Sequence, residues 1–136
     1  MANPPVVLDT NVFNDRGFMR WLSKYRGEKE VPPVVYCELA VIAVQRTGDT
    51  SKLDGLLHAG GIFVSEMLME HARFAATFAQ EAADWKSRWR DYMIAGHAAI
   101  APRHLITADT RGFGCLGKRA VRPGDFMDGI EDGSIH

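Results

Sequence analysis

Val6-Val7-Leu8-Asp9-Thr10-Asn11 decides how this chain is read: three apolar residues form a buried strand, and Asp-Thr-Asn hands it over to a turn or a helix cap. The same form recurs far along the chain, where Leu105-Ile106-Thr107-Ala108 runs up to Asp109. Ile62-Phe63-Val64 reads as a further buried strand, and Ala120-Val121-Arg122 adds a last one before Pro123. Short apolar strands spaced by helical stretches predict a parallel sheet covered on both faces, the α/β class.

The helices follow from apolar spacing. Phe18, Trp21, Leu22 and Tyr25 predict a helix from about Asp15 to Arg26 with Gly27 as its stop. Glu28, Lys29 and Glu30 then read as a charged surface link. Pro33 suits the first turn of a helix that runs to Thr47-Gly48. A shorter one covers Lys52 to Leu57, closed by Gly60-Gly61. Ser65 is positioned to cap a long helix carrying Met67, Leu68, His71, Phe74, Ala75 and Phe78, ending near Asp84. Another runs through Tyr92, Ile94, Ala95 and Ala98 to the Ala101-Pro102 break.

At 136 residues and 46% hydrophobic, the chain is expected to be one domain, residues 1–136, with a flexible tail from about 125. A formal net charge of -1 gives no long-range attraction for a polyanion, so any nucleic-acid contact must come from a local patch. Cys37 and Cys115 lack the spacing of a zinc site and the density of a disulfide scaffold, which suits a reducing compartment. The opening Met-Ala-Asn-Pro-Pro does not have the form of a leader, and Tyr92 to Pro102 is too short to span a bilayer. The expected location is cytoplasmic.

Parallel sheets carry functional residues at the carboxyl ends of their strands, and two strands here end in aspartate, Asp9 and Asp109. Taken singly, each also fits a turn or cap residue. Glu38 has Val34, Val35, Val41 and Ile42 as its helical neighbours three and four positions away, so it is expected to turn toward the core. Burying that carboxylate requires a cation, a hydrogen bond or a metal; a salt bridge to a nearby Arg or Lys is the alternative to a ligand role. Asp91 stands near the start of its helix on the inward side, where a helix-dipole contact is its ordinary use. As a set, four acids in one pocket repel one another and raise their own pKa values, whereas one or two divalent cations satisfy them all. Oxygen-only donors select Mg²⁺ or Mn²⁺. His58, His71, His97, His104 and His136 are scattered, with His97 the exception in sharing a helix with Asp91. Magnesium in an acidic pocket suits phosphodiester hydrolysis by an activated water.

These residues resemble a known family. Val7-Leu8-Asp9-Thr10-Asn11-Val12 is similar to the opening motif of PIN-domain nucleases, and Glu38 sits where they carry a helix glutamate. Asp91-Tyr92-Met93-Ile94-Ala95 matches their Asp-x-x-Ile-Ala helix start, and Leu105-Ile106-Thr107-Ala108-Asp109 their Thr-x-Asp strand end; Pro123 and Phe126 fall like the closing Pro-x-x-Phe. The similarity spans about the whole chain. It implies a three-layer α/β/α fold with a mostly parallel sheet and a metal-dependent endoribonuclease resembling the toxins of VapBC-type toxin-antitoxin pairs. By position, Asp9, Glu38, Asp91 and Asp109 would be the catalytic and metal-binding acids, with Mg²⁺ or Mn²⁺ as cofactor and Asn11 and Thr107 as supporting groups. The expected partners are an RNA substrate, an antitoxin protein and a second copy of the chain, with no membrane.

The basic run Lys86, Arg88, Arg90, interleaved with Trp85 and Trp89, reads as an RNA-facing rim or as a solvated helix face with its tryptophans packed inward. Arg111, Lys118 and Arg119 are the alternative phosphate contacts. Gly112-Phe113-Gly114-Cys115-Leu116-Gly117 spells G-x-G-x-x-G after a strand, yet Pro123 and Gly124 interrupt the helix a dinucleotide fold needs, so a loop beside the acids is expected. An RNA-processing nuclease without an antitoxin and a non-catalytic RNA- or protein-binding module are the rival functions. A haloacid-type phosphatase is disfavoured, because Asp9-Thr10-Asn11 lacks the second aspartate of Asp-x-Asp.

Overall fold

The computed structural model describes residues 3–136; Met1 and Ala2, the first residues of the opening expected not to form a leader, lie outside the described residues. Its centre is a parallel sheet of β1 (Val6–Leu8), β2 (Lys29–Val31), β3 (Ile62–Val64), β4 (His104–Ile106) and β5 (Ala120–Val121), in the spatial order β3-β2-β1-β4-β5. Around it lie α1 (Arg16–Leu22), α2 (Pro33–Thr47), α3 (Ser51–Ala59), α4 (Met69–Ala79), α5 (Trp89–His97) and α6 (Pro123–Asp132). The chain steps outward from β1 to β3 and then returns to lay β4 against the other side of β1. Right-handed crossovers stepping in opposite directions place their helices on opposite faces, which gives three layers, α/β/α. On these faces α1 packs with α6, and α4 packs along α5.

Val6, Val7 and Leu8 are fully buried, as are Leu105 and Ile106 beside them, so β1 and β4 are the floor of the core. Their order also creates the feature that matters most for function. At β1 and β4 the sequence of strands reverses direction, and the carboxyl ends of two such strands frame a crevice between diverging connections.

Four expectations require correction. Lys29 and Glu30 are not a surface link: they form β2, an interior strand, with both residues buried. Lys29 Nζ donates to Leu22 O at 3.1 Å, and Glu30 Oε2 meets His97 Nδ1 at 3.0 Å, so the charges enter the sheet already partnered. The first helix ends at Leu22 rather than near Gly27, and Asp15 caps it by accepting from Phe18 N. Ser65 does not cap α4, which starts at Met69; its hydroxyl donates to Val31 O and lies 3.3 Å from His97 Nδ1. The stretch from 125, expected as a tail, belongs to α6, where Phe126 is fully buried against Trp21 and Tyr25. Burial of one such ring is worth about 1.5–3 kcal/mol, enough to hold a short helix down.

Among the described residues, no helix is long and apolar enough to cross a membrane.

Candidate active site

Asp9 ends β1 at the crevice. Its backbone N–H donates to Ile106 O at 3.0 Å, continuing the ladder to β4, and its side chain is only 2% exposed. Oδ1 accepts from Thr10 N at 2.7 Å, so the residue does cap the 3-10 turn at Thr10–Asn14, as the simpler reading allows. Oδ2 accepts from Thr107 Oγ1 at 2.8 Å and from Asn11 Nδ2 at 3.4 Å. Asn11 in turn accepts from Ala108 N through Oδ1, and Thr107 Oγ1 accepts from Asp109 N. The two supporting residues expected from the sequence thus knit the ends of β1 and β4 around one buried carboxylate.

Glu38 reaches the same place from the second turn of α2, though not for the reason its spacing suggests. Val41 and Ile42 are exposed, at 51% and 42%, so its helical neighbours do not all face the core. Its half-buried carboxylate accepts from Thr10 Oγ1 at 2.5 Å and from Arg90 Nε at 2.8 Å. The same guanidinium donates through Nη2 to Asp9 Oδ1 at 2.6 Å and through Nη1 to Asp91 Oδ1 at 3.0 Å. One arginine therefore joins three acids carried by β1, α2 and α5. The sequence placed Arg90 in a basic run read as an RNA-facing rim or a solvated helix face; the one clue to its place here was adjacency to Asp91 on the first turn of α5.

The two helix acids respond oppositely to this setting. Burial pushes the Glu38 carboxyl up, but the hydrogen bonds from Arg90 and Thr10 and the guanidinium charge outweigh it, and Glu38 is held below the ordinary carboxylate range. At Asp91 burial prevails over the same guanidinium and over Arg88, aided by the charge of Asp9, and its carboxyl is raised.

Asp109 lies just past β4, exposed, its Oδ1 accepting from Gly112 N at 3.2 Å. A β-carbon built on Gly112 would stand 2.8 Å from Asp109 Oδ2 and 3.5 Å from Asp91 Oδ2, so these two carboxylates flank one small space that a side chain would fill. Arg88 closes its far side, donating to Gly112 O at 2.8 Å with Nε 4.0 Å from Asp91 Oδ2. Asp91 is shared by both groups and links all four acids. Among the described residues, no three acidic, histidine or cysteine side chains converge closely enough to hold one ion in this conformation, because Arg90 stands between them. The donors themselves are carboxylates and a threonine hydroxyl, a set that fits a hard divalent cation once the guanidinium moves aside.

The remaining candidates divide. Arg111 and Lys118 are exposed and, with Arg122, line a shallow groove beside the loop after Asp109. Arg119 is spent elsewhere, which corrects its reading as a phosphate contact: its guanidinium donates to the carbonyls of Ala98, Ala99 and Arg103 beyond the end of α5. Trp85 and Trp89 pack edge to face and lie against α4, with Trp89 and Lys86 still exposed, while Arg88 and Arg90 turn to the acids, so the run divides between a solvated face and the carboxylate site. His97 sits at the opposite end of α5 from Asp91, buried with Glu30 and stacked on His71. Residues 111–119 form kinked 3-10 turns anchored by Phe113 and Leu116, a loop beside the acids as expected.

No protein-family profile matches the chain, and no curated protein does. Solved structures do. A chain of a toxin-antitoxin complex from Klebsiella pneumoniae is 19% identical, with a TM-score of 0.66 over 87% of this chain and 97% of that one. A chain of the DNA-bound VapBC of Salmonella typhimurium is 20% identical, with a TM-score of 0.62 over 90% of this chain and 96% of that one. At this level of identity the likeness shows the fold, a three-layer PIN-like α/β/α.

Proposed function

We propose that this chain is a metal-dependent endoribonuclease and the toxin of a toxin-antitoxin pair, with Mg²⁺ or Mn²⁺ held by Asp9, Glu38, Asp91 and Asp109. One observation carries the reading: acids from β1, α2 and α5, joined by Asp109 after β4, meet at the crevice where the strand order reverses. Like charges repel, and in the metal-free chain Arg90 and Arg88 offset that repulsion where a divalent ion would otherwise do so. A bound divalent ion supplies a water activated for attack and positive charge against the phosphate oxygens.

The chain's own groups prepare that chemistry. Thr107 and Asn11 fix Asp9 in a single orientation, and Thr10 does the same for Glu38. Asp109 and Asp91 flank the side-chain-free position of Gly112, and Asp109 is exposed, so it is the acid nearest an approaching RNA backbone. Arg111 and Lys118 stand in the groove beyond it as phosphate contacts. The toxin role rests on the fold shared with chains of toxin-antitoxin complexes.

Calorimetry with Mn²⁺, paired with cleavage of a single-stranded RNA, tests the site. The wild type should bind and cut, and the double variant Asp9→Asn, Asp109→Asn should do neither; undiminished Mn²⁺ binding by that variant would refute the metal site. The toxin role has its own test. Expression of the gene alone should arrest growth, and Asp91→Ala should relieve the arrest. A harmless wild type that cleaves RNA in the test tube would assign it to RNA processing instead.

A further inference from the structure

We propose that Arg90 is a resident counter-cation of the carboxylate centre, which a divalent ion must displace to bind, so that the chain carries its own closed state. This rests on the metal-site reading given above. Three nitrogens of one guanidinium address three carboxylates on three different elements: Nε to Glu38, Nη1 to Asp91 and Nη2 to Asp9. A planar fork with fixed donor directions suits such a site, and an ammonium, with its charge on one nitrogen, cannot span it in the same way.

Two features make this a competition rather than a permanent salt bridge. Asp9 is 2% exposed and lies beside two other carboxylates, so a cation close by is strongly favoured even with the hydrogen bonds it accepts from Thr10, Asn11 and Thr107. Arg90 itself is 36% exposed, so rotation of its side chain can release the centre without unfolding α5. A divalent ion at the centre of the three carboxylates needs the space the guanidinium fills. The two cations exclude each other, and the folded chain alternates between an arginine-closed and a metal-loaded centre.

The tether sets the consequence. Arg90 neighbours Asp91 in sequence, so it competes at a high effective concentration that dilution cannot lower. Apparent metal affinity is reduced by the fraction of molecules that stand closed. In return the metal-free protein keeps its acids paired, and it stays folded when the ion is scarce.

Mn²⁺ calorimetry and melting temperatures, each on the wild type, Arg90→Gln and Arg90→Lys at one pH and salt, test this. Arg90→Gln should bind Mn²⁺ at least tenfold tighter than the wild type, melt lower without metal, and gain more from saturating Mn²⁺. Arg90→Lys, with one nitrogen in place of three, should lie between, and it serves as the comparison if the glutamine variant does not fold. Equal Mn²⁺ affinity in wild type and variants would mean that arginine and ion coexist; that sinks the displacement and leaves the nuclease reading standing. Absence of Mn²⁺ binding in wild type and Arg90→Gln alike would overturn both.

Discussion

Thr107 Oγ1 donates to Asp9 Oδ2 across 2.8 Å, a bond between residues 98 positions apart that fastens the ends of adjacent strands to one another. The hydroxyl also accepts from Asp109 N at 3.1 Å, so a single oxygen positions two of the four acids. Thr107→Val keeps the volume and removes both bonds. Asp9 Oδ2 then keeps only the longer bond from Asn11 Nδ2 at 3.4 Å and Asp109 N loses its acceptor, a loss of about 1–3 kcal/mol that should lower the urea midpoint. Cleavage with Mn²⁺ should drop at least tenfold because both acids lose their orientation. Unchanged cleavage in a destabilised variant would make Thr107 a purely structural residue.

Glu30 controls stability in acid from a different place. Burial raises its carboxyl, but the hydrogen bond from His97, the nearby Ser65 hydroxyl and the charges of His97 and Arg103 bring it below its ordinary value of 4.5. A carboxyl depressed in the folded state adds stability that is complete above its unfolded pKa and is lost as pH falls through the folded value. Unfolding free energy followed from pH 7 downward should therefore decline below about 4.5. Glu30→Gln should be less stable at pH 7 by about 1–3 kcal/mol, since its partners remain buried, and should lose less on acidification. An acid limb of the same steepness in wild type and variant would assign the loss to other carboxylates.

β1 and β4 were legible because apolar runs ending in aspartate carry their own boundaries, and Asp9, Asp109 and Asp91 could be named as candidates from two strand ends and a helix start. β2 was not. A Glu-Lys-Glu run reads as surface unless its partners are known, and those partners, Leu22 O and His97, lie 7 and 67 positions away. Arg90 escaped for the same reason: its bonds to Asp9 and Glu38 span 81 and 52 positions, and local spacing holds no trace of them. Glu38 was found by a periodicity that the structure only half supports, since Val41 and Ile42 face solvent. Phe126 was noted for its spacing from Pro123, yet the acids around it hid the helix that it anchors.

Two glycines of the G-x-G-x-x-G stretch should behave differently. Gly112 has no positive φ, so alanine is allowed by the backbone, but its β-carbon would meet Asp109 Oδ2 at 2.8 Å and displace that carboxylate. Gly112→Ala should fold normally and lose roughly tenfold or more in cleavage, about 1.4 kcal/mol of transition-state stabilisation. Nothing lies within 4 Å of a β-carbon at Gly114. Gly114→Ala should cleave like the wild type, and neither protein should bind NADH. Saturable NADH binding by the wild type would restore the dinucleotide reading.

Gly96 is the contact point of α4 and α5, where an added β-carbon would run into the backbone carbonyl of His71 and approach Ala75 N at 3.4 Å. Backbone cannot step aside as a side chain can, so Gly96→Ala should force the helices apart and cost about 1–3 kcal/mol, measured by urea unfolding. Asp91 rides on the same helix, and cleavage should fall with stability. A silent Gly96→Ala would show that the two helices separate freely.

Glu38→Gln separates the two roles that meet in one side chain. The sequence offered them as alternatives, a metal-ligand role or a salt bridge to a nearby Arg or Lys. In the structure Glu38 is paired with Arg90 and faces the other acids as well. Glutamine keeps one oxygen for Arg90 Nε, removes the charge and turns the oxygen that accepts from Thr10 Oγ1 into an amide donor. The side chain is 38% exposed, so solvent screens much of the pair, and the metal-free protein should lose no more than about 1 kcal/mol. Cleavage should fall by two or more orders of magnitude if the carboxylate charge helps to hold the ion. Melting temperature without metal and RNA cleavage with Mn²⁺, measured on this one variant, decide the matter: a large drop in melting temperature with retained cleavage would remove Glu38 from the catalytic set, and the other three acids would have to carry the chemistry alone.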